Sequence, residues 1–456
     1  MINTAYMINT AYKKAEVLQK CFAAAESTEG NMDQKLYRAY IDILKEELIP
    51  AMGCTEPIAI AYASAKARQV LGCVPESIEV TASPNIIKNV KSVIVPNTGS
   101  LRGIDAAAVA GAVAGAADEE LQVLSHVTDE QINQIADALK KIRCSVKASG
   151  NGCVFYILIS MTGNGHSALV EIVGSHTNVV RVEKDGEVLM NREITEQGIS
   201  AGTDRSLLNI QDIVDFAETV QLDDVAEVLE MQISYNMAIA EEGLRGDWGA
   251  NIGSILLRSY GNSVHNRAKV YAAAGSDARM SGCELPVVIN SGSGNQGLTA
   301  SLPVIVYADD LNVGKDVLYR ALLISNLTAV HLKTGIGPLS AYCGATSAGC
   351  GAGAGITYLY GGKYREIAHT IVNALAINSG MICDGAKPSC AAKIASAVEA
   401  GLLGMQMQSH DSQFYDGEGI VVKGVENTIR NVSELAHDGM KETDRLIIQM
   451  MTKNLA

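Results

Sequence analysis

Two kinds of hydrophobic periodicity alternate along this chain. Over residues 34–49 (QKLYRAYIDILKEELI), Leu36, Tyr40, Ile43, Leu44 and Leu48 recur at helical spacing. Pro50 ends that helix. The spacing predicts another over 55–71, with Thr55 as N-cap and Pro57 in the first turn, where a missing N–H costs little. From about 77 to 200, short β-rich runs take over: 77–82 (SIEVTA), 153–161 (CVFYILISM), 168–173 (ALVEIV) and 178–183 (NVVRVE). Lys184-Asp185-Gly186 is a hairpin signal, and helical patterns at 103–117 and 129–141 interleave with the strands. Beyond 204 the pattern is again helical, clearest over 207–243, 315–332, 364–377, 388–403 and 425–452.

These elements predict an α+β fold, a predominantly helical body with a mixed α/β domain inserted near its N-terminal part. The expected division is an N-terminal extension over 1–33, a helical segment over 34–75 packing on the body, an inserted α+β domain over 76–203, and a helical domain over 204–456. The first twelve residues are one word written twice (MINTAY MINTAY). They read as an alternative start or a fusion scar and are expected to be disordered.

Charge changes the picture next. Charged residues make up 19% of the 456, against a typical ~25%, and the net charge is −14. Nucleic acid and anionic membrane are poor partners for such a chain, since both select for clustered Lys and Arg. The segment 285–404 holds 13 charged residues in 120. Its charge-free run 334–362, at 29 residues, is long enough to span a membrane, but nine of those residues are Gly. The run reads as protein interior. No secretory signal pattern opens the chain, so a cytoplasmic location and reduced thiols are expected. Apolar, charge-poor helices make a homo-oligomer the expected state.

Ten cysteines remain, and the usual fate of a cytosolic cysteine is packing. Cys54 stands in Gly53-Cys54-Thr55-Glu56-Pro57, just before a predicted helix. Backbone N–H groups and the helix dipole there favour a thiolate, able to act as nucleophile or general base; the plainer reading is a small residue at a tight turn. In Cys383-Asp384-Gly385-Ala386-Lys387-Pro388-Ser389-Cys390, Asp-Gly marks a turn and Pro388 a helix start. Both thiols could then face one point, as zinc or iron–sulfur ligation requires, though this spacing alone is a weak signal. Cys343 and Cys350 add two thiols in a Gly-rich segment, where glycine lets backbone approach a bulky group or lets two helices pack closely. Residues 290–300 (NSGSGNQGLTA) lie between two apolar strand-like runs and could cradle a carboxylate or phosphate through backbone N–H groups. Arg279 offers a bidentate carboxylate binder. Asn85, Lys88 and Asn89, with Thr98-Gly99, form a polar loop pair. Ser175-His176-Thr177-Asn178 reads as an edge loop between strands. No HExxH zinc site, serine nucleophile elbow or redox CxxC is present.

Five motifs together carry a resemblance: GCTEP at 53–57, NIIKN at 85–89, SDARM at 276–280, NSGSGNQG at 290–297 and CDGAKPSC at 383–390. They resemble the L-cysteine desulfidase family, which is related to the α domain of iron–sulfur L-serine dehydratases. The likeness runs from about 36 to 452. It implies a 4Fe–4S cluster held by Cys343, Cys383 and Cys390, with Cys54 as proton acceptor. The six residues between Cys383 and Cys390 are fewer than in serine dehydratases, which favours the desulfidase branch. The implied reaction is β-elimination of L-cysteine to pyruvate, sulfide and ammonia, with one open iron as Lewis acid. Asn85, Lys88, Asn89, Arg279, Ser291, Ser293 and Asn295 are candidates for holding the substrate's carboxylate and ammonium. Cys350 takes no ligand role. The competing readings are an L-serine dehydratase, a non-catalytic cluster-binding protein and a zinc–thiolate hydrolase. The cluster reading requires Cys343, Cys383 and Cys390 to lie close together.

Overall fold

The structure, a computed structural model, describes residues 32–192 and 202–452. The doubled hexapeptide, and with it nearly all of the extension expected over 1–33, lies outside the described residues. The fold is α+β, mostly helical, with one mixed sheet in the N-terminal part.

Helix α1 (Gln34–Glu47) starts at Asp33, whose side chain accepts from the Lys35 and Leu36 N–H groups, and it buries Ala39, Tyr40, Ile43 and Leu44. A three-residue strand β1 (Pro50–Met52) leads to α2 (Thr55–Leu71), buried on nearly every side. A helix apolar all round belongs in the interior. Then follow β2 (Ser77–Ala82), α3 (Pro84–Val90), α4 (Gly103–Ala114), α5 (Asp129–Lys141) and strands β3 (Arg143–Ala148), β4 (Tyr156–Gly163), β5 (His166–Val173), β6 (Val179–Lys184) and β7 (Glu187–Asn191). The six strands order as β3-β2-β4-β5-β6-β7, with only β2 and β3 parallel. Register aligns Val80, Ile159, Val170 and Val182 across four neighbouring strands. All four are buried, so one face of the sheet is core. The Asp185-Gly186 turn supplies two positive φ angles, 52° and 86°, as a tight hairpin needs.

The rest is helical: α6 (Ile210–Thr219), α7 (Ala226–Arg245), α8 (Ile252–Tyr260), α9 (Val264–Met280), a short strand β8 (Pro286–Val288), α10 (Gly294–Leu311), α11 (Lys315–Ile336), α12 (Gly344–Leu359), α13 (Tyr364–Ile377), α14 (Cys390–Ser409), α15 (Val425–Glu434) and α16 (Lys441–Thr452). Strand β8 pairs antiparallel with β1 (Pro50↔Val288, Met52↔Pro286), which fastens the GCTEP segment to the helical part. Two local expectations are corrected. NIIKN is a buried helical turn rather than a loop. The run after 297 is helix α10, not a strand; short apolar runs carry no period that separates the two. The glycines of α12 serve close packing. A Cβ on Gly353 would sit 2.6 Å from the Gly401 carbonyl of α14, and those on Gly351 and Gly355 would strike Ser325 and Ala321 of α11. Among the described residues, no helix is long and apolar enough to cross a membrane.

Candidate active site

A cavity of about 830 Å³ opens between the sheet region and the helical part. Cys54, Cys343, Cys383 and Cys390 all line it. Each is placed by local structure. Cys343 is the N-cap of α12 and Cys390 the first residue of α14. An isolated bridge between Tyr342 and Ile382 sets two extended strands side by side. It is tied by Cys343 N–H to Met381 O (2.9 Å) and Cys383 N–H to Ala341 O (2.6 Å). The two thiols act on each other, which pulls Cys383 below its ordinary value and pushes Cys343 well up. Lys88 and Lys393 also favour the Cys383 thiolate, against burial. Cys390 Sγ lies 3.8 Å from the Gly385 carbonyl. Gly385 (φ 91°) lets that loop lie against α3, since a Cβ there would come within 2.9 Å of Lys88 O. Among the described residues, no three His, Cys, Asp or Glu side chains are drawn together as one metal ion would need.

The opposite wall is polar. Cys54 is the N-cap of α2, 1% exposed, with its Sγ 3.9 Å from Met280 Sδ. Thr55 Oγ1 donates to Gly292 O (2.9 Å) and Asn89 Nδ2 to Glu56 Oε1 (2.8 Å). The 290–293 turn is closed by Asn290 N–H to Ser293 O (3.1 Å) and Ser293 N–H to Asn290 O (3.0 Å). Ser291 there holds φ at 49°, in the left-handed region that non-glycine residues rarely adopt. Arg279 crosses over Gly294, is 4% exposed, and leaves Nε without a partner. No ion pair reaches it among the described residues. The N-termini of α2, α10, α12 and α14 all border the cavity through Cys54, Ser293, Cys343 and Cys390. Helix N-termini favour anions.

The Cys54 thiol departs from the helix-terminus expectation. Burial pushes it up to about 12 from 9, with Arg279 pulling down and Glu56 pushing up. A thiol held there disfavours its thiolate by about 4 kcal/mol, more than the ~2 kcal/mol a helix terminus supplies at best. Burial wins, and Cys54 is a thiol in the free protein.

A family profile described as serine dehydratase alpha chain matches residues 118–449, well over half the chain. The chain belongs to that family. It is also 56% identical over 417 residues to a UPF0597 protein of Desulfitobacterium hafniense (strain Y51), covering 91% of this chain and 97% of the relative. A UPF0597 protein of Lachnoclostridium phytofermentans is 52% identical over 416 residues (91% and 100%), and one of Treponema denticola 44% over 430 (93% and 100%).

Against that family frame, the candidate residues distribute unevenly. Asn89, Arg279, Ser291, Ser293 and Asn295 line the cavity, while Asn85 is buried off it. Lys88 lines the cavity too, but its Nζ is already paired with Asp444 of α16 at 2.6 Å. Cys350 is buried within α12, away from the cavity. Three residues went unselected by the sequence reading. Glu56 appeared there only as a letter of its motif. His176, read as part of an edge loop, reaches the cavity. Lys333, lowered to about 8 by burial against the pull of Cys383 and Cys343, lies beside the thiols. Only the acidic first turn of α2 offered any signal, and that signal is common.

Proposed function

We propose that this chain is a lyase that removes the β-substituent of an L-α-amino acid, with L-cysteine as substrate and pyruvate, sulfide and ammonia as products. One observation carries the reading: four cysteines share a cavity with a buried guanidinium that has no carboxylate partner among the described residues. Burying an unpaired charge is costly unless a ligand pairs it. Cys343, Cys383 and Cys390 are the proposed ligands of a 4Fe–4S cluster, and the donor chemistry fits: soft thiols, two helix N-termini, and Lys88 and Lys393 to offset thiolate charge. Such a cluster, when bound, supplies a Lewis acid for the departing sulfide.

The chain's own side chains do the rest. Arg279 holds the substrate carboxylate in a charge-assisted, bidentate bond. Cys54 Sγ is the acceptor of the α-proton, and it acts as a thiolate once its own proton has passed to solvent in the open cavity. The description of the matching family favours L-serine as the second reading. Anaerobically reconstituted protein decides between them by its yields of sulfide and pyruvate from each amino acid. Equal sulfide and pyruvate from L-cysteine, formed faster than pyruvate from L-serine, is the expected result. Pyruvate from serine alone would move the chain to the dehydratase reading. A full complement of iron with no turnover of either would sink the lyase reading.

A further inference from the structure

The carboxylate of Glu56 lines the cavity near the start of α2. Asn89 Nδ2 donates to its Oε1 at 2.8 Å, and Oε2 lies 3.2 Å from Thr55 Oγ1, whose single proton is shared with the shorter bond to Gly292 O. No Lys, Arg or His pairs with the carboxylate among the described residues. The β5–β6 turn brings His176 to the same cavity. Its ring packs edge-on against Phe155 (centroids 4.8 Å apart) and occupies the space where a Cβ on Gly292 would come within 3.0 Å of it. Its Nε2 is buried and has no hydrogen-bond partner among the described residues. Burial, with the charge of Arg279, pushes His176 below its ordinary value against the pull of Glu56. That environment favours the neutral imidazole, which has a lone pair to offer. The Gly292 turn ties Glu56 and His176 together: Thr55, next to Glu56, bonds the Gly292 carbonyl at 2.9 Å, and a Cβ on Gly292 would lie 3.0 Å from the His176 ring, while Cys54 and Arg279 line the same cavity.

A free α-amino acid brings a carboxylate and an ammonium with three N–H donors, and the ammonium needs acceptors. Lys88, the cation nearest in sequence to Asn89, supplies none and is already matched by Asp444. We propose that Glu56 and His176 form the α-ammonium subsite, so that the cavity selects zwitterionic α-amino acids over their des-amino and hydroxy analogues. The inference rests on the amino-acid lyase reading and sharpens it: the sheet region's part in the site is to recognise the amine.

The test sets Glu56→Gln and His176→Phe beside the wild type in the reconstituted protein. KM is measured for L-cysteine, and the inhibition constant for 3-mercaptopropionate, which keeps the thiol and carboxylate and lacks the amine. Losing a charged hydrogen bond should raise KM about tenfold or more in each variant, while the 3-mercaptopropionate constant stays within about twofold. That unchanged constant also certifies a folded site. Equal losses for both compounds, or no loss for either, overturn the subsite. Calorimetric titration of L-alanine against propionate reads the same preference without turnover. If wild-type protein turns over no amino acid, the lyase reading fails on its own. The subsite then stands if alanine is preferred and both variants abolish the preference, and falls if wild type binds the two alike.

Discussion

The two walls of the cavity are built in opposite ways. The sulfur wall comes from one stretch of chain, 343–390, where two helix starts and a single bridge aim three thiols. The polar wall has no such unity. Cys54 and Glu56, His176 and Arg279 come from three distant segments, joined by the β1–β8 pair, the Thr55–Gly292 bond and the β5–β6 turn. One wall is a motif with a local fold; the other exists only once the chain has closed on itself. Damage to the first should abolish chemistry and spare the scaffold. Damage to the second should weaken recognition by degrees.

The largest effect is expected at the sulfur wall. Cys343→Ser removes a thiol held beside Cys383 by the Tyr342–Ile382 bridge, and both iron content after reconstitution and sulfide release should fall to background. Far-UV circular dichroism should be unchanged, because Cys343 contributes its position as N-cap through backbone alone. Retained iron with lost activity would mean that Cys343 is not a ligand. Arg279→Lys comes next. Lysine keeps the charge but not the planar fork, so kcat/KM should drop by roughly 10- to 100-fold, chiefly through KM. An unchanged KM would place the substrate carboxylate elsewhere.

The same contrast explains what the sequence reveals. Helices Thr55–Leu71, Asp129–Lys141 and Tyr364–Ile377 and strand Ser77–Ala82 begin and end where periodicity and caps put them, because those signals are local. The Asp384-Gly385 turn and Pro388 likewise announce the loop that carries Cys383 and Cys390. What escapes is everything set by distant neighbours. Glu56 becomes a cavity carboxylate only beside Asn89, and His176 leaves the class of edge-loop residues only when Phe155 and Gly292 enclose it. The sequence reports the helix start at Cys54 but not its burial, and burial decides its protonation.

Packing beneath the sulfur wall gives a smaller effect. Gly353 faces the Gly401 carbonyl across the α12–α14 contact, backbone against backbone, so neither side can yield by turning a side chain. Gly353→Ala should destabilise the fold by about 1–3 kcal/mol through overpacking, read as a lower urea midpoint. Because α12 and α14 carry Cys343 and Cys390 at their starts, iron retention should fall with it. Full stability in this variant would mean that the two helices have slack.

The smallest effect lies where the two walls are braced together. Glu399 of α14 accepts from His265 Nε2 at 2.9 Å and Lys269 Nζ at 2.7 Å, both on α9, the helix that carries Arg279 in its last turn. The His265 hydrogen bond first, then Lys269, hold its carboxyl at about 2, below the ordinary 4.5 and against the effect of burial. A carboxylate with a depressed folded value stabilises the native state above its unfolded value and loses that contribution as pH falls through the folded one. The bracing is therefore complete above about pH 4.5 and gone below about pH 2. Glu399 is 44% exposed, so water and salt screen the pair and its worth should stay below about 1 kcal/mol. Glu399→Gln should lower the urea midpoint slightly at neutral pH, less so in high salt, and the gap to wild type should close on acidification. A gap that persists below pH 2 would show that the contact acts through packing rather than charge.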